Sequence, residues 1–303
     1  MNIRTDNAKK HPISQCKFYR MFNYPAVDFN QKCDYPTLVG NNVGQLIGRN
    51  RQPDEMCIRD SSTQKGGAGK TTLTVLTASY LHYVKGYNVA VVDCDFPQYS
   101  IKDMRERDMT SATGDDHYKA MAYEQFKRLQ KKAYPVISSR PEDAPDNAAK
   151  LVKSGQPLDF IFFDLPGTIN NASIVNTIAT MDYIFCPIAA DRVVMESSIR
   201  FASIIHEHMI STGKTNVKGL YMLWNMVDGR EKTELYGMYE KVCAEMALPV
   251  MKTFLPDSKR FRKEAATERK QVFRSTIFPA DKILVRGSNL DTLVDEILTI
   301  IKK

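Results

Sequence analysis

From about residue 70 onward, short apolar runs alternate with longer stretches of helical period. NVAVVD (88–93), DFIFFDLPG (159–167), YIFCPIAA (183–190) and VKGLYMLWNMV (217–227) are nearly continuous apolar runs, the pattern of parallel strands buried on both faces. Between them lie segments that read as helices: TTLTVLTASYLHYV (71–84), closed by Gly86; a charged stretch from Ile101 to Leu129; ASIVNTIATM; residues 191–210; and EKTELYGMYEKVCAEM (231–246). A short strand is expected at Pro135 to Ser138, followed over 140–157 by a linker and a surface helix. The last fifteen residues, NLDTLVDEILTIIKK, place Leu290, Leu293, Val294, Ile297 and Leu298 on one face of an amphipathic helix. Strands and helices in alternation predict an α/β fold with a mainly parallel sheet covered by helices on both faces.

Residues 1–60 mix aromatic, asparagine, proline and charged positions with no sustained period of 2 or 3.6, and read as an irregular appendage with room for a short helix. The expected division is therefore 1–60 as an atypical segment and 61–303 as the main domain. A buried strand should stand directly before residue 62, yet PDEMCIRDS offers Arg59 and Asp60 where apolar residues belong. Burying both charges unpaired would cost several kcal/mol. Two readings stay open: a distorted first strand, or a foreign amino-terminal segment such as a sequence-assembly junction.

Composition narrows the classes. With 303 residues, 43% of them hydrophobic and 25% charged, the chain has the makeup of an ordinary globular protein. The net charge of +7 suits contact with phosphate backbones or anionic lipid without requiring either. Six scattered cysteines form no CxxC pair and point to a reducing compartment. No apolar run resembles a signal peptide or reaches the roughly 18 residues of a membrane span, so a cytoplasmic protein is expected.

The sharpest chemistry lies in STQKGGAGKTT, Ser62 to Thr72. Gly66, Gly67 and Gly69, with Ala68 between them, let the backbone turn tightly and bring amides onto phosphate oxygens, and the helix opening near Lys70 points its positive end at the same anion. Lys70 would reach the β and γ phosphates and Thr71 would place a hydroxyl on Mg²⁺, with Thr72 completing the loop. Position 64 is Gln64, so the ordinary phosphate-loop pattern fails at its first glycine. Two aspartates, Asp93 and Asp95, then end a predicted strand where a parallel sheet presents its ligands, and carboxylates there suit Mg²⁺ or its water shell; capping of a following helix is the plainer alternative. Asp164 ends FIFFD in the same manner, with Pro166 and Gly167 turning the chain beside it.

Lysine, two glycines, any residue, glycine, lysine and threonine in this order resemble the deviant Walker A motif of the ParA/MinD group of P-loop ATPases, and the blocks at Asp95 and Asp164 follow in that group's chain order. The resemblance covers about 61–303. It implies a P-loop NTPase that hydrolyses ATP slowly with Mg²⁺. On that resemblance Lys65 would cross the interface of an ATP-bound homodimer to touch the partner's phosphates, and Asp95 would orient the attacking water. Asp164 and Gly167 would sense the γ phosphate, and Thr71, Asp93, Asp95 and Asp164 would surround the metal. Phe96, inserted between Asp95 and Pro97, departs from the group's pattern. Asn225 resembles the group's base-contacting asparagine, and Pro256 and Asp257 its loop over adenine; both also suit ordinary turns.

For an output surface, SKRFRKEAATERKQVFR (258–274) gathers Lys259, Arg260, Arg262, Lys263, Arg269, Lys270 and Arg274. If helical, several share a face that would bind DNA phosphates without reading sequence, as in partitioning relatives of the group. An ordinary solvated helix is the alternative. The last helix is less basic than a membrane anchor needs. VLTASYLHYVKGYNVAVVDCDFPQ and the later MRERD more particularly resemble ParA-family proteins of Bacteroides-like conjugative transposons, which implies partitioning or transfer of a mobile element, an unidentified activating partner protein, and a cytoplasmic location that leaves nucleoid association open. The competing functional class is a nonhydrolysing ATP-binding assembly or regulatory module.

Overall fold

The computed structural model describes residues 17–21, 69–155, 157–166, 172–230, 233–265 and 271–302, the first stretch as backbone alone. Six parallel strands form one sheet in the order β3-β2-β4-β1-β5-β6: β1 (Lys17–Met21), β2 (Val89–Asp93), β3 (Val136–Ser138), β4 (Phe160–Asp164), β5 (Tyr183–Ile188) and β6 (Gly219–Trp224). The helices are α1 (Lys70–Tyr83), α2 (Ser100–Gly114), α3 (Asp116–Leu129), α4 (Ala144–Lys153), α5 (Ala172–Ala179), α6 (Arg192–Ile205), α7 (Thr233–Glu245), α8 (Lys282–Val285) and α9 (Leu290–Lys302).

Period-2 alternation sorts the strand side chains between two cores. Ala90 and Val92 of β2, Ile161 and Phe163 of β4, and Ile184 and Cys186 of β5 pack with α4, α5 and α6. Val89 and Val91, Phe160 and Phe162, and Tyr183 and Phe185 pack on the other face with α1, α2 and α9. β2, β4 and β5 are therefore buried at every position, and all but the terminal aspartates of β2 and β4 are apolar, which is why these runs were nearly continuous in sequence. The expected α/β sheet with helices on both faces is what forms.

Three expectations are corrected. The first 60 residues were read as irregular, but Lys17–Met21 forms the strand between β4 and β5, pairing Tyr19 with Phe162 and Tyr183. The strand at that place in the sheet is KFYRM; the PDEMCIRDS segment lies outside the described residues. The charged stretch 101–129 breaks at Asp115, whose backbone is extended (φ −119°, ψ 123°) and whose side-chain Oδ1 accepts the amides of His117 at 2.9 Å and Tyr118 at 3.4 Å. That cap starts a second helix. Finally, where 258–274 was read as a helix, its described residues hold one 3₁₀ turn, Lys259–Arg262, and no α-helix.

Beyond residue 271 the chain runs as a buried strap. Val272, Phe273, Ser275, Thr276, Ile277 and Phe278 are all buried, yet they belong to no strand or helix. Their polar groups are satisfied by side chains. Asp108 accepts the Thr276 amide (2.6 Å) and the hydroxyls of Thr276 (2.7 Å) and Ser275 (2.9 Å). The hydroxyls of Ser79 and Tyr83 and the amide of Gln125 donate to the carbonyls of Ser275, Thr276 and Ile277 at 2.6, 2.8 and 2.7 Å. On the far side of the sheet, residues 250–257 run along the open edge of β6, with Met251 donating to Met222 (2.8 Å) and Leu255 to Trp224 (2.9 Å), so that edge is covered.

Candidate nucleotide site

β1 and β4 are neighbours at the centre of the sheet, but the chain leaves β1 toward β2 on one side and leaves β4 toward β5 on the other. The carboxyl ends of these strands are a topological switch point, where an open parallel sheet leaves a crevice for ligand. Three elements meet there: the start of α1, the end of β2 and the end of β4.

Gly69 caps α1 with φ +83°, a left-handed conformation that favours glycine. The helix begins at Lys70 with no acidic residue in its first turn and a glycine N-cap that supplies no side chain, so its positive end suits an anion. Thr71 Oγ1 donates to Asp164 Oδ2 at 2.7 Å, and Lys70 Nζ donates to the carbonyl of Leu165 at 3.3 Å. These bonds lay the first turn of α1 against the end of β4. Lys65, Gly66, Gly67 and Ala68 of the loop, and Gly167 beyond β4, lie outside the described residues.

Asp164 is 1% exposed, and its Oδ1 has no hydrogen-bond partner among the described residues. Burial raises its carboxyl to about 7, against the opposing pull of Lys70 and the Thr71 bond, with Asp93 and Asp95 adding to the rise. β2 and β4 pair Asp93 directly with Asp164, which brings like charges together at the sheet's rim. A buried acceptor with an open oxygen beside a threonine hydroxyl fits a hard cation or its water shell. Asp93, Asp95 and Asp164 do not by themselves make a metal cage; no such cluster occurs among the described residues. A magnesium ion here would draw on Thr71 and Asp164 together with the phosphates it accompanies.

Asp93 has another task. Its Oδ2 accepts the amides of Ile101 (2.9 Å) and Lys102 (3.0 Å), and its Oδ1 the amide of Asp95 (3.3 Å). These bonds show the plainer role: Asp93 anchors the start of α2 and the turn that carries Asp95. Asp95 is half-buried, and its carbonyl accepts the Tyr99 amide at 2.9 Å. The inserted Phe96 is 52% exposed, packs edge-on to Tyr99 and lies under the Arg140 guanidinium, so the insertion is accommodated at the surface.

Asn225 stands at the end of β6, 6% exposed, with its amide donating to the Ile188 carbonyl at 2.8 Å. Its side chain faces the phosphate loop: a Cβ added to Gly69 would lie 2.7 Å from Asn225 Nδ2. Pro256 and Asp257 sit beside it, bridged to Val227, whose carbonyl accepts the Asp257 amide at 2.9 Å. The structure therefore brings these three candidates together at one rim of the crevice. Met226, which the sequence did not single out, also reaches the Gly69 turn, from a left-handed backbone at φ +56°.

The basic segment divides. Arg260 donates to the carbonyls of Leu284 (2.8 Å) and Arg286 (2.6 Å), and Arg274 donates to Glu264 and to Thr72, so both are engaged within the fold. Lys259 and Arg262 are exposed and Lys263 is half-buried. Arg269 and Lys270 lie outside the described residues. The Arg274 contact joins residues 202 positions apart, and no local pattern announces it.

Fold and site together define a P-loop nucleotide-binding protein. Residues 62–272 match the model of the CobQ/CobB/MinD/ParA nucleotide binding domain, and the chain belongs to that family, whose ParA and MinD members are ATPases. A ParA family ATPase from Chlorobium tepidum TLS superposes with a TM-score of 0.50 at 15% identity, covering 77% of this chain and 94% of its own. The cell division ATPase MinD of Pyrococcus furiosus gives 0.49 at 18% identity, covering 78% and 95%. A putative plasmid partition protein from Borrelia burgdorferi B31 bound to AMPPNP gives 0.48 at 14%, covering 78% and 94%. The first of these likenesses bears on the fold alone. No curated protein matches the chain. Among the described residues no helix is long and apolar enough to cross a membrane.

Proposed function

We propose that residues 61–303 form an ATPase that hydrolyses ATP to ADP and phosphate, and that ATP binding closes two copies of the chain into a dimer. The observation that carries the reading is the Thr71–Asp164 hydrogen bond of 2.7 Å at the mouth of a capless helix. It sets a hydroxyl, a lysine and a buried carboxylate around one anion-receptive helix end. In this reading Gly66, Gly67, Ala68 and Gly69 wrap the phosphates, Lys70 neutralises charge on the β and γ groups, and Thr72 completes the loop. Lys65 of each copy reaches the phosphates held by the other. Asp95 orients the attacking water, Asp164 and Gly167 respond to the γ phosphate, and Asn225, Pro256 and Asp257 frame the base. Bound magnesium would withdraw charge from the phosphates, held through Thr71 and the Asp164 side. Asp93 contributes by fixing the turn that carries Asp95.

The ATP-bound dimer is the working form, and hydrolysis releases it. Lys259, Arg262 and Lys263, joined by Arg269 and Lys270, supply a DNA-phosphate surface that binds without sequence preference, in partitioning or conjugative transfer of a mobile element related to those of Bacteroides-like bacteria. The test is steady-state phosphate release from ATP and magnesium, with and without long duplex DNA, against Lys70→Ala. Release above that background and increased by DNA is expected. ATP binding with no release would replace the reading with a nonhydrolysing assembly module.

A further inference from the structure

Arg274 was grouped by sequence with the residues of a DNA surface, yet its guanidinium turns inward. Its side chain is only 23% exposed. Nε and Nη2 both donate to Glu264 Oε1, at 3.1 and 2.6 Å, and Nη1 donates to Thr72 Oγ1 at 2.7 Å. Glu264 is held in turn from the other side, where Arg107 Nη1 of α2 donates to Oε2 at 3.1 Å. An arginine fork used in this way is fixed in direction as well as in charge.

Thr72 is the third residue of α1, within the first turn of the helix whose positive end the proposed function gives to the phosphates. A cation at a helix N-terminus is unfavourable on the helix dipole alone. It becomes favourable when an anion shares the site, and Glu264 alone cannot fill that role because it already serves two arginines. The chemistry of the hydroxyl points the same way. A threonine hydroxyl has one proton to donate and two lone pairs. With Arg274 donating to Thr72 Oγ1, the proton must point elsewhere, and among the described residues it has no acceptor.

We infer that Arg274 is a positioning residue of the nucleotide site: it holds Thr72 with its hydroxyl proton free for a phosphate oxygen of the bound nucleotide, and Glu264 and Arg107 hold Arg274. This rests on the ATP-binding reading above. It removes Arg274 from the DNA surface. It also closes a loop of contacts around the crevice, from Asp93 through α2 and Arg107 to Glu264, Arg274, Thr72 and the start of α1.

The test compares full-length wild type, Arg274→Ala, Arg274→Lys, Thr72→Val and the Arg274→Ala/Thr72→Val double variant. Readouts are binding of fluorescent ADP and ATP analogues, KM and kcat for ATP, binding to duplex DNA, and thermal midpoint. Loss of one charge-assisted bond predicts that Arg274→Ala weakens both nucleotides about tenfold. The loss should appear in KM with kcat nearly unchanged. Thr72→Val should match it, the double variant should add little, and Arg274→Lys should recover only part because it lacks the fork. DNA affinity per dimer should be unchanged. Should Arg274→Ala fail to fold, Thr72→Val and Glu264→Gln carry the comparison, and Glu264→Gln is expected to weaken nucleotide binding by a smaller factor. The inference is overturned if Arg274→Ala binds nucleotide as wild type does, or if its loss adds fully to that of Thr72→Val. It is also overturned if DNA affinity falls while nucleotide affinity holds. Wild-type protein that binds no nucleotide would overturn the ATP-binding reading itself, and this arm is read first.

Discussion

Replacing Gly69 by alanine tests the junction between the start of α1 and the rim formed by Asn225. Two penalties can be worked out from the structure. Gly69 has φ +83°, and a side chain held in the left-handed region costs about 1–2 kcal/mol. Its new Cβ would also meet Asn225 Nδ2 at 2.7 Å, closer than real Cβ contacts come. Asn225 is 6% exposed, so it has little room to swing away, and forced repacking of that kind costs about 1–3 kcal/mol. The Gly69→Ala variant should therefore show a combined loss of about 2–5 kcal/mol, divided between fold stability in urea and affinity for a fluorescent ATP analogue. Only the second penalty depends on Asn225. In an Asn225→Ala background the cost of Gly69→Ala should shrink to the backbone part, a coupling of about 1–3 kcal/mol in a double-mutant cycle. An unchanged urea midpoint and unchanged nucleotide affinity for Gly69→Ala would refute the left-handed cap. Strict additivity with Asn225→Ala would refute the contact.

Other perturbations probe separate parts of the molecule. Burial raises Asp164 from the ordinary 3.8 to about 7, so the stability it contributes as a protonated acid is full below 3.8 and is lost as pH climbs to 7. At roughly 1.4 kcal/mol for each pH unit that amounts to about 4 kcal/mol. Urea midpoints of the nucleotide-free protein measured from pH 5 to 8 should converge on a flat line only above 7, and Asp164→Asn should remove the slope. Asp108→Ala strands three buried donors, the Thr276 amide and the hydroxyls of Ser275 and Thr276, and should cost about 3–5 kcal/mol by chemical denaturation. Lys259→Glu with Arg262→Glu should weaken duplex binding and flatten its salt dependence by about 0.9 in log–log slope per lost phosphate contact, while Arg260→Ala lowers stability instead. Equal salt slopes for the charge-reversed and wild-type proteins would remove these two side chains from the DNA surface.

The strands that were legible are those whose sequence answers to one physical demand. VAVVD, FIFFD and YIFCPI are buried at every position because helices cover both faces of the sheet, so no polar alternation interrupts them. The start of α1 was legible for a similar reason: Gly69 answers to backbone geometry at φ +83°, and Lys70 and Thr71 to the anion that the proposed function places there. Asp93 shows where this logic fails. A carboxylate at a strand's end serves a metal or a helix N-terminus equally well by position, and only the amides of Ile101 and Lys102, supplied by the next element, decide between them.

The strap and the first strand were hidden for opposite reasons. VFRSTIF is buried without regular structure because its polar groups are satisfied by Ser79, Tyr83, Asp108 and Gln125, partners between 152 and 196 residues away along the chain. No local window contains them, so the segment's positive charge dominated its reading and suggested an exposed helix. KFYRM carries Lys17 and Arg20 in the middle of a six-stranded sheet, where apolar residues are the rule, and it is followed by residues 22–68 before Gly69. What places it there is backbone pairing on both sides, with Arg20 in register with Phe163 of β4 and Ile184 of β5. β4 and β5 each need a parallel neighbour to satisfy their inward-facing amides and carbonyls, and α1 needs a strand behind it. The vacancy between β4 and β5 is thus fixed by the rest of the fold, and the demand for a strand there is stronger than the composition of the segment that fills it.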